Sequence, residues 1–220
     1  MDVAVVGRFM DEEARDVKRD IESAGRKCLL IAAEVSRPED CARCVEETMD
    51  SLGRLDLLFH CAGGPALGTL QEADPSVWYG AFDVHVHPIF HLCRAAIPHI
   101  KRQGEGAILL MSSAAGLRGC PGAFAYQVVK GAVAHLTRAL ARELANDNIR
   151  VNCVAPGVIR TRFQDYLTPE QVKNNLENRI PLHREGSVED VAQLLAMLAE
   201  NEFMTGEVIS IDGGLTMRIA

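Results

Sequence analysis

The sequence lacks any apolar run that approaches the ~18 residues of a membrane-crossing helix, and its N-terminus lacks the apolar core of a secretion signal. It also lacks an excess of basic residues: 23 lysines and arginines stand against 30 aspartates and glutamates, for a net charge of -7. No basic tract with interleaved aromatic residues is present. Because a negative surface repels nucleic acid and anionic lipid, the composition predicts neither as the main partner.

A disulfide framework is missing as well. Seven cysteines are scattered through apolar segments, and an odd number without regular spacing predicts free thiols in a reducing cytoplasm. Cys41 and Cys44 form a C-x-x-C pair, but they fall on a predicted helix without a second ligand pair. This placement favours a structural role over a metal or redox site.

The sequence does contain a regular alternation of apolar strands and amphipathic helices along its 220 residues. This alternation predicts an α/β fold, a doubly wound parallel sheet of about six strands covered by helices on both faces, in a single domain spanning 1–220. The predicted strands are 3–7, 27–33, 55–60, 107–111, 150–155 and 207–211, and the predicted helices are 11–24, 38–52, 75–103, 126–145 and 188–199.

The segment from Ser112 to Lys130 holds the clearest chemical pattern. It follows the predicted buried strand 107–111, and the helix after it places Tyr126 and Lys130 one turn apart on the same face. A phenol ordinarily titrates near ~10, and an ammonium group one turn away lowers that pKa. Together with a serine hydroxyl from the strand end, these side chains form a predicted proton-transfer site.

This segment resembles the short-chain dehydrogenase/reductase family. The likeness rests on the Tyr-x-x-x-Lys pair, on the Ser-Ser-Ala-Ala-Gly stretch before it and on Arg-Val-Asn-Cys-Val-Ala-Pro-Gly at 150–157. The resemblance implies a Rossmann-like fold and a homodimer or homotetramer that uses helices 75–103 and 126–145. It also implies that Tyr126 is the general acid/base, that Lys130 lowers its pKa and holds the cofactor ribose, and that Ser113, rather than Ser112, orients the substrate oxygen.

The resemblance begins at the family's second strand. Residues 1–8 look like that strand, and the family's glycine-rich turn, T-G-x-x-x-G-x-G, has no counterpart near the N-terminus. The resemblance therefore implies an N-terminally truncated sheet without the family's first strand or its pyrophosphate-binding turn. Three explanations stay open: a gap of unpaired backbone, a move of the 3–7 strand to lie beside the 55–60 strand, or a coding start upstream of Met1.

The resemblance further implies a site for NADP or NAD, in which Arg8 matches an arginine that meets the 2′-phosphate and so favours NADP. Glu34 and Val35 replace an Asp-Val pair near the adenine, and His60 and Cys61 replace two asparagines. The segment 156–161 matches the family's contact with the nicotinamide half. The residues implied to bind the cofactor are Arg8, Glu34, Val35, Ala62, Gly63, Pro156, Gly157, Ile159 and Thr161.

A histidine, His85, stands where the family has an asparagine whose backbone holds a water. Two interpretations stay open: the imidazole moves protons beside the tyrosine and lysine, or it packs while its backbone serves the water. His87 and His91 share a helix face while His85 points elsewhere, so these three histidines predict no metal site.

The main functional prediction is a carbonyl/alcohol oxidoreductase that uses a nicotinamide cofactor on a small-molecule substrate. Two alternatives stay open: a cofactor-independent acid/base enzyme (an isomerase, dehydratase or aldolase-type lyase), or a non-catalytic partner subunit. The polar segment 160–181 is predicted to form a lid. Its Phe163, Tyr166 and Leu167 suggest an apolar or aromatic ligand, although helix packing explains them equally well.

Overall fold

Strands and helices alternate along the chain in the predicted order. The structure is a computed structural model, and it describes residues 1–217. Its strands are β1 (Val3–Gly7), β2 (Cys28–Ala32), β3 (Leu57–His60), β4 (Gly106–Met111), β5 (Ile149–Pro156) and β6 (Val208–Ile211). Its α-helices are α1 (Glu12–Ser23), α2 (Pro38–Leu52), α3 (Pro75–His85), α4 (His87–Gln103), α5 (Ala114–Leu117), α6 (Phe124–Leu144), α7 (Pro169–Asn174) and α8 (Val188–Glu200).

The strands form two parallel sheets. β1 pairs with β2, and the other four strands follow the order β3-β4-β5-β6. The idea that the 3–7 strand lies beside the 55–60 strand is wrong, because in the described part of the chain β1 pairs with β2 alone. The physical reason is local: α1 returns the chain directly to the neighbouring position, and the Asp2 carboxylate accepts a hydrogen bond of 2.9 Å from the Lys27 backbone N–H.

The main core lies on one face of the four-stranded sheet. Ile108 and Leu110 of β4 face the α2, α4 and α6 side, and both are fully buried. Leu109, between them, faces the opposite side and packs against α8. Because successive residues of a strand point to opposite faces, this apolar run marks a strand covered on both sides, as predicted.

The predicted helix 75–103 is two helices in the structure. The break falls at Val86, whose φ of -116° and ψ of -55° depart from ideal helical values. Pro88 follows in the first turn of α4, and a proline removes a backbone donor and disfavours the helical conformation of the residue before it. The break leaves His85 at the C-terminus of α3, where the side chain is buried.

The polar segment 160–186 consists of short helical pieces. A 3-10 turn at Arg162–Gln164 leads to α7, whose first turn is closed by a capping box between Thr168 and Gln171. A π-helical turn, Asn175–Arg179, completes the segment's helical part. Among the helices of residues 1–217, none combines the length and apolar character needed to cross a bilayer.

Candidate active site

The predicted serine lies at the junction between β4 and α5. Ser113 is the N-cap of α5, and its Oγ accepts a hydrogen bond of 3.2 Å from the Ala115 backbone N–H. The neighbouring Ser112 is almost fully buried, and its hydroxyl donates to the Lys130 backbone carbonyl at 2.7 Å. Both serines line the cavity, but the Ser112 hydroxyl is used to tie the strand end to α6, whereas the Ser113 side chain is less buried.

Tyr126 and Lys130 lie in the first two turns of α6 and face this serine. The hydroxyl of Ser113 is close enough to the phenol of Tyr126 to act on the pKa of that phenol, and both side chains line the same cavity. Lys130 is only 4% exposed, and its Nζ donates to the Met111 backbone carbonyl at 2.9 Å. Its Nζ lies 5.6 Å from the centre of the Tyr126 ring. The structure therefore brings all three predicted side chains to one place.

The pKa of the tyrosine differs from the expectation. Burial raises the pKa of Tyr126 to about 12, and the nearby Ser113 hydroxyl opposes the shift without reversing it. The expected lowering by Lys130 is not among the causes of this shift, so the prediction that Lys130 lowers the Tyr126 pKa is not confirmed. Burial also lowers the pKa of Lys130 to about 8. At neutral pH the phenol therefore holds its proton and is set up as an acid.

His85 packs directly against the tyrosine. The two rings meet edge to face, with their centres 5.7 Å apart. His85 Nε2 lies 3.0 Å from the Gly64 backbone carbonyl and 3.4 Å from the Gly64 backbone nitrogen, so the tautomer of the ring sets which of the two it bonds. A Cβ built on Gly63 would come within 2.2 Å of the imidazole, so only glycine fits beneath this ring. Both predicted roles need His85 beside Tyr126, and the structure places it there.

A second buried histidine, His60, was noted in the sequence only as a replaced asparagine. It ends β3 and is 6% exposed. Burial, together with the charge of Lys130, lowers the pKa values of both His60 and His85 to about 4. Within the described structure, His60 Nε2 and His85 Nδ1 are buried without a hydrogen-bond partner. The only signal in the sequence for the burial of His60 is its position at the end of a predicted strand.

The proton-transfer residues open onto one cavity of about 840 Å³. This volume lies in the range of pockets that hold small ligands and cofactors. Beyond the catalytic group and His85, five of the predicted cofactor residues line it: Gly63, Pro156, Gly157, Ile159 and Thr161. Gly157 allows close contact here, since a Cβ on it would approach Asp212 to 2.7 Å.

The other four predicted cofactor residues do not line this cavity. Arg8 and Glu34 follow β1 and β2 and form an ion pair of 2.7 Å, Arg8 Nε to Glu34 Oε2. Burial acts to raise the pKa of Glu34, but hydrogen bonds from Ser36 and the charge of Arg8 hold it below its usual range. Val35 packs against the main core. Ala62 is partly buried in the loop after β3.

The predicted lid supplies an aromatic wall. Phe163 packs on Tyr126 with ring centres 5.6 Å apart, and Tyr166 meets Phe163 at 6.3 Å. Leu167 lines the same cavity. Two arginines on this side, Arg118 and Arg179, were not singled out from the sequence, although Arg118 lies between the predicted serine and tyrosine.

The cysteine and histidine groups show no metal-binding geometry. Within residues 1–217, no three side chains of His, Cys, Asp or Glu lie close enough together to hold a metal ion. His87 instead bonds to Asp83, with Nδ1 and Oδ1 2.9 Å apart. Cys41 and Cys44 are buried among apolar side chains, and burial raises the pKa of Cys41 to about 11.

The parallel sheet and the cavity at its strand ends define an α/β enzyme that acts on a small molecule. A family model described as enoyl-(acyl carrier protein) reductase matches residues 1–216. The chain belongs to the short-chain dehydrogenase/reductase family. The predicted Rossmann-like fold and the predicted family are thereby confirmed.

Individual relatives agree with this assignment. A 3-oxoacyl-(acyl-carrier-protein) reductase of Thermotoga maritima is 33% identical over 215 residues, covering 97% of this chain and 87% of the relative. A dehydrogenase/reductase SDR family member 4 of Caenorhabditis elegans is 35% identical and covers 99% of this chain and 91% of the relative. A 7α-hydroxysteroid dehydrogenase, solved with NADH and 7-oxo glycochenodeoxycholic acid, superposes with a TM-score of 0.91 at 25% identity. It covers 100% of this chain and 86% of the other.

These comparisons confirm the prediction of an oxidoreductase of this family, and they support a nicotinamide cofactor in general. They do not favour the two alternatives, a cofactor-independent acid/base enzyme and a non-catalytic partner. They specify neither the substrate nor the choice between NAD and NADP, so both are inferred below from the residues of the site.

Proposed function

We propose that this chain reduces a carbonyl compound to an alcohol, and catalyses the reverse oxidation, with Ser113, Tyr126 and Lys130 as the catalytic residues. One observation carries the proposal: a phenol that is protonated at neutral pH lies beside a serine hydroxyl on the wall of a ligand-sized cavity. Two adjacent hydroxyl donors are what the oxygen of a carbonyl group needs as it gains negative charge.

The roles of the three side chains follow from their positions. The hydroxyls of Ser113 and Tyr126 hold the substrate oxygen, and the Tyr126 O–H transfers its proton as that oxygen becomes an alkoxide. An alkoxide is a stronger base than a phenolate, so the transfer is favourable even from a phenol with a pKa of about 12. Lys130 lies 5.6 Å from the centre of the Tyr126 ring, so a cofactor ribose that it holds would lie beside the phenol.

The cavity fits the nicotinamide half of the cofactor, which supplies the hydride when bound. Lys130 is placed to hold the ribose, because an ammonium has three donors and the Met111 carbonyl accepts one of them. The strand-end segment 156–161 would hold the nicotinamide, with Ile159 and Thr161 on the cavity wall. His85 is proposed to fix the loop after β3 and the face of the Tyr126 ring.

The adenosine half is proposed to lie toward the ends of β1 and β2. The Arg8 side chain is 70% exposed, so its guanidinium is accessible to a 2′-phosphate, which favours NADP(H) over NAD(H). Glu34, Val35 and Ala62 are proposed to line the adenine end. The printed sequence has no glycine-rich turn of the family pattern near its N-terminus, so this proposal assigns no residue to the pyrophosphate.

A single domain, a homo-oligomer and a cytoplasmic location remain parts of the proposal. Tyr79 of α3 and Phe90 of α4 are 66% and 59% exposed, on the helices predicted to form the subunit interface. Large exposed aromatic side chains are typical of such interfaces. All seven cysteines are free thiols, as expected in a reducing compartment. Light scattering of the purified chain tests the oligomer directly.

The test of the proposed function is a titration followed by an assay. Calorimetry with NADPH and with NADH should show micromolar binding of at least one of them. A panel of aldehydes and ketones should then be reduced with loss of NAD(P)H absorbance. Absence of binding at millimolar concentrations of both cofactors would end the proposal.

A further inference from the structure

The wall of the active-site cavity carries ionic charge of one sign. Among the described residues that line it, the charged side chains are Lys130, Arg118 and Arg179, and no aspartate or glutamate is present. The chain as a whole carries a net charge of -7, so the charge of this wall is opposite in sign to the net charge of the chain. Lys130 belongs to the proton-transfer site. The two arginines have no role in it; Arg179 belongs to the predicted lid, and Arg118 follows α5.

Arg179 is held in the wall by a neutral partner. Its guanidinium donates to the side-chain oxygen of Asn175 at 2.7 Å, and Asn175 is only 3% exposed. Within residues 1–217 Arg179 forms no ion pair with a carboxylate. A buried amide therefore orients this guanidinium without neutralising it, and the side chain keeps its full charge toward the cavity.

Arg118 is arranged in the same way. It directly follows α5, and its Nε donates to the Thr216 backbone carbonyl at 3.1 Å. It too forms no ion pair with a carboxylate in the described part of the chain. A guanidinium has five N–H donors, so a single neutral acceptor leaves most of its capacity for a ligand.

An apolar path connects the reacting oxygen with Arg179. The ring of Phe163 lies between those of Tyr126 and Tyr166, with steps of 5.6 and 6.3 Å between ring centres. Arg179 is close enough to Tyr166 that its charge acts to lower the pKa of that phenol, against the larger effect of burial. The cavity therefore presents, in order, a proton donor, an aromatic wall and a cation.

We propose that Arg179 and Arg118 bind a carboxylate at the far end of the substrate, which is a carbonyl compound with an aromatic or similarly apolar body. This inference rests on the proposed function, because it takes Tyr126 as the group that meets the carbonyl. A planar guanidinium matches the two oxygens of a carboxylate. Because an aromatic wall lies between Tyr126 and Arg179, the cavity selects substrates whose carbonyl and carboxylate are separated by an apolar spacer.

The experiment compares two probes that differ only in charge. 4′-Formylbiphenyl-4-carboxylate and its methyl ester share a two-ring body, which suits the two aromatic steps from Tyr126 to Tyr166. Affinity is measured by calorimetry in the presence of NADP+, which cannot reduce the probe, and kcat/KM by NADPH absorbance. The variants are Arg179→Gln and Arg118→Gln, which keep polarity and lose the charge. Arg142→Gln, on the exposed side of α6 and away from the cavity, is the matched control.

We expect wild type and Arg142→Gln to prefer the carboxylate over the ester by about tenfold, which is about 1.4 kcal/mol. Arg179→Gln should remove most of this preference and Arg118→Gln part of it, with the affinity for the ester unchanged. The preference should also shrink as salt is added. Equal affinity for the two probes in wild type, or an unchanged preference in both cavity variants, overturns the inference.

Failure of the inference and failure of the proposed function give different results. If both probes are reduced equally well, the oxidoreductase proposal stands and the carboxylate site does not. If the carboxylate binds preferentially but neither probe is reduced, the anion site stands and the proposed chemistry does not. If Arg179→Gln weakens NADPH binding and leaves the probe preference intact, the arginines serve the cofactor and the inference is wrong.

Discussion

The two sheets of this protein differ in packing and in the groups they carry. In the four-stranded sheet, β5 is buried at six of its eight positions, and Ser113 and Tyr126 meet at its strand ends. In the two-stranded sheet, β1 has no fully buried residue, and neither has α1 beside it. The first region carries the proposed chemistry and the second carries Arg8 and Glu34. The proposed catalytic geometry thus belongs to the dense core, and the proposed contacts with the adenosine half belong to a thinly covered edge.

This difference matters because the proposed proton-transfer site in the four-stranded region depends on burial, whereas the proposed role of Arg8 in the two-stranded region does not. The Tyr126 and Lys130 pKa values are shifted by burial, so the proton-transfer site depends on the surrounding core. In the Arg8–Glu34 ion pair the arginine side chain is 70% exposed and the glutamate 26%, and ion pairs with an exposed partner contribute little to stability. Changes in the first region should therefore have large effects, and changes in the second region smaller and more selective ones.

The largest effect is expected for Tyr126→Phe. Loss of the phenolic proton donor should lower kcat for carbonyl reduction about a thousandfold, within the range of general acid catalysis. The affinity for NADPH, measured by calorimetry, should change less than about threefold, because the ring packing on Phe163 and His85 is kept. The matched control is Tyr79→Phe on the exposed side of α3. A Tyr126→Phe enzyme that retains more than a tenth of the wild-type kcat would show that another group donates the proton.

Hydrogen exchange should separate the two sheets next. Amides of β4 and β5, enclosed on both faces, are expected to exchange at least about a hundredfold more slowly than those of β1 and α1. Mass spectrometry of peptides from a single exchange series measures both regions under identical conditions. Equal protection in β1 and β5 would contradict the conclusion that the two sheets differ in packing.

The same contrast explains what the sequence could predict. The spacing of Tyr126 and Lys130 on a helix, and a serine after a buried strand, are local patterns that survive folding, and the structure brings them together as expected. The bounds of some strands and helices could be predicted equally well: β1 and α2 begin and end at the predicted residues. The break at Val86 also has a local cause, since Pro88 lies two residues further on. The apolar periodicity of 75–103 nevertheless predicted one continuous helix.

Long-range properties could not be predicted in this way. The pairing of β1 depends on which edge is adjacent in space, and the spacing of apolar residues does not specify that. The sign of the Tyr126 pKa shift depends on how deeply the phenol is buried, and the motif carries no such information. Arg118 and Arg179 are 61 residues apart in sequence by their numbering, and only the fold places them on one cavity wall.

A third prediction concerns the buried histidines of the dense region. The pKa values of His60 and His85 are lowered to about 4 in the folded state, from an ordinary value near 6.5. Below pH 6.5 the unfolded chain therefore takes up protons that the folded chain does not, and the free energy of unfolding falls as the pH drops toward 4. Each histidine should account for a loss of about 2 kcal/mol between pH 7 and pH 5.

Urea unfolding of His60→Asn and His85→Asn at these two pH values measures this effect. Each variant should lose about 2 kcal/mol less than wild type on acidification, whatever its stability at pH 7. His135→Asn, on the exposed side of α6, serves as the control and should keep the wild-type pH dependence. A His60→Asn protein that behaves like the control would show that this histidine is not held neutral in the folded state.

The smallest expected effect comes from the thinly covered region. Arg8→Gln removes a guanidinium that is 70% exposed, so the free energy of unfolding should change by less than about 0.5 kcal/mol. If Arg8 meets the 2′-phosphate, kcat/KM for NADPH should fall about tenfold while that for NADH stays the same, because NADH has no 2′-phosphate. Arg26→Gln, an exposed arginine that precedes β2, controls for a general change of surface charge. An equal fall for both cofactors would place Arg8 outside the phosphate site. A selective fall would show that the edge of β1 sets cofactor choice independently of the core that sets the chemistry.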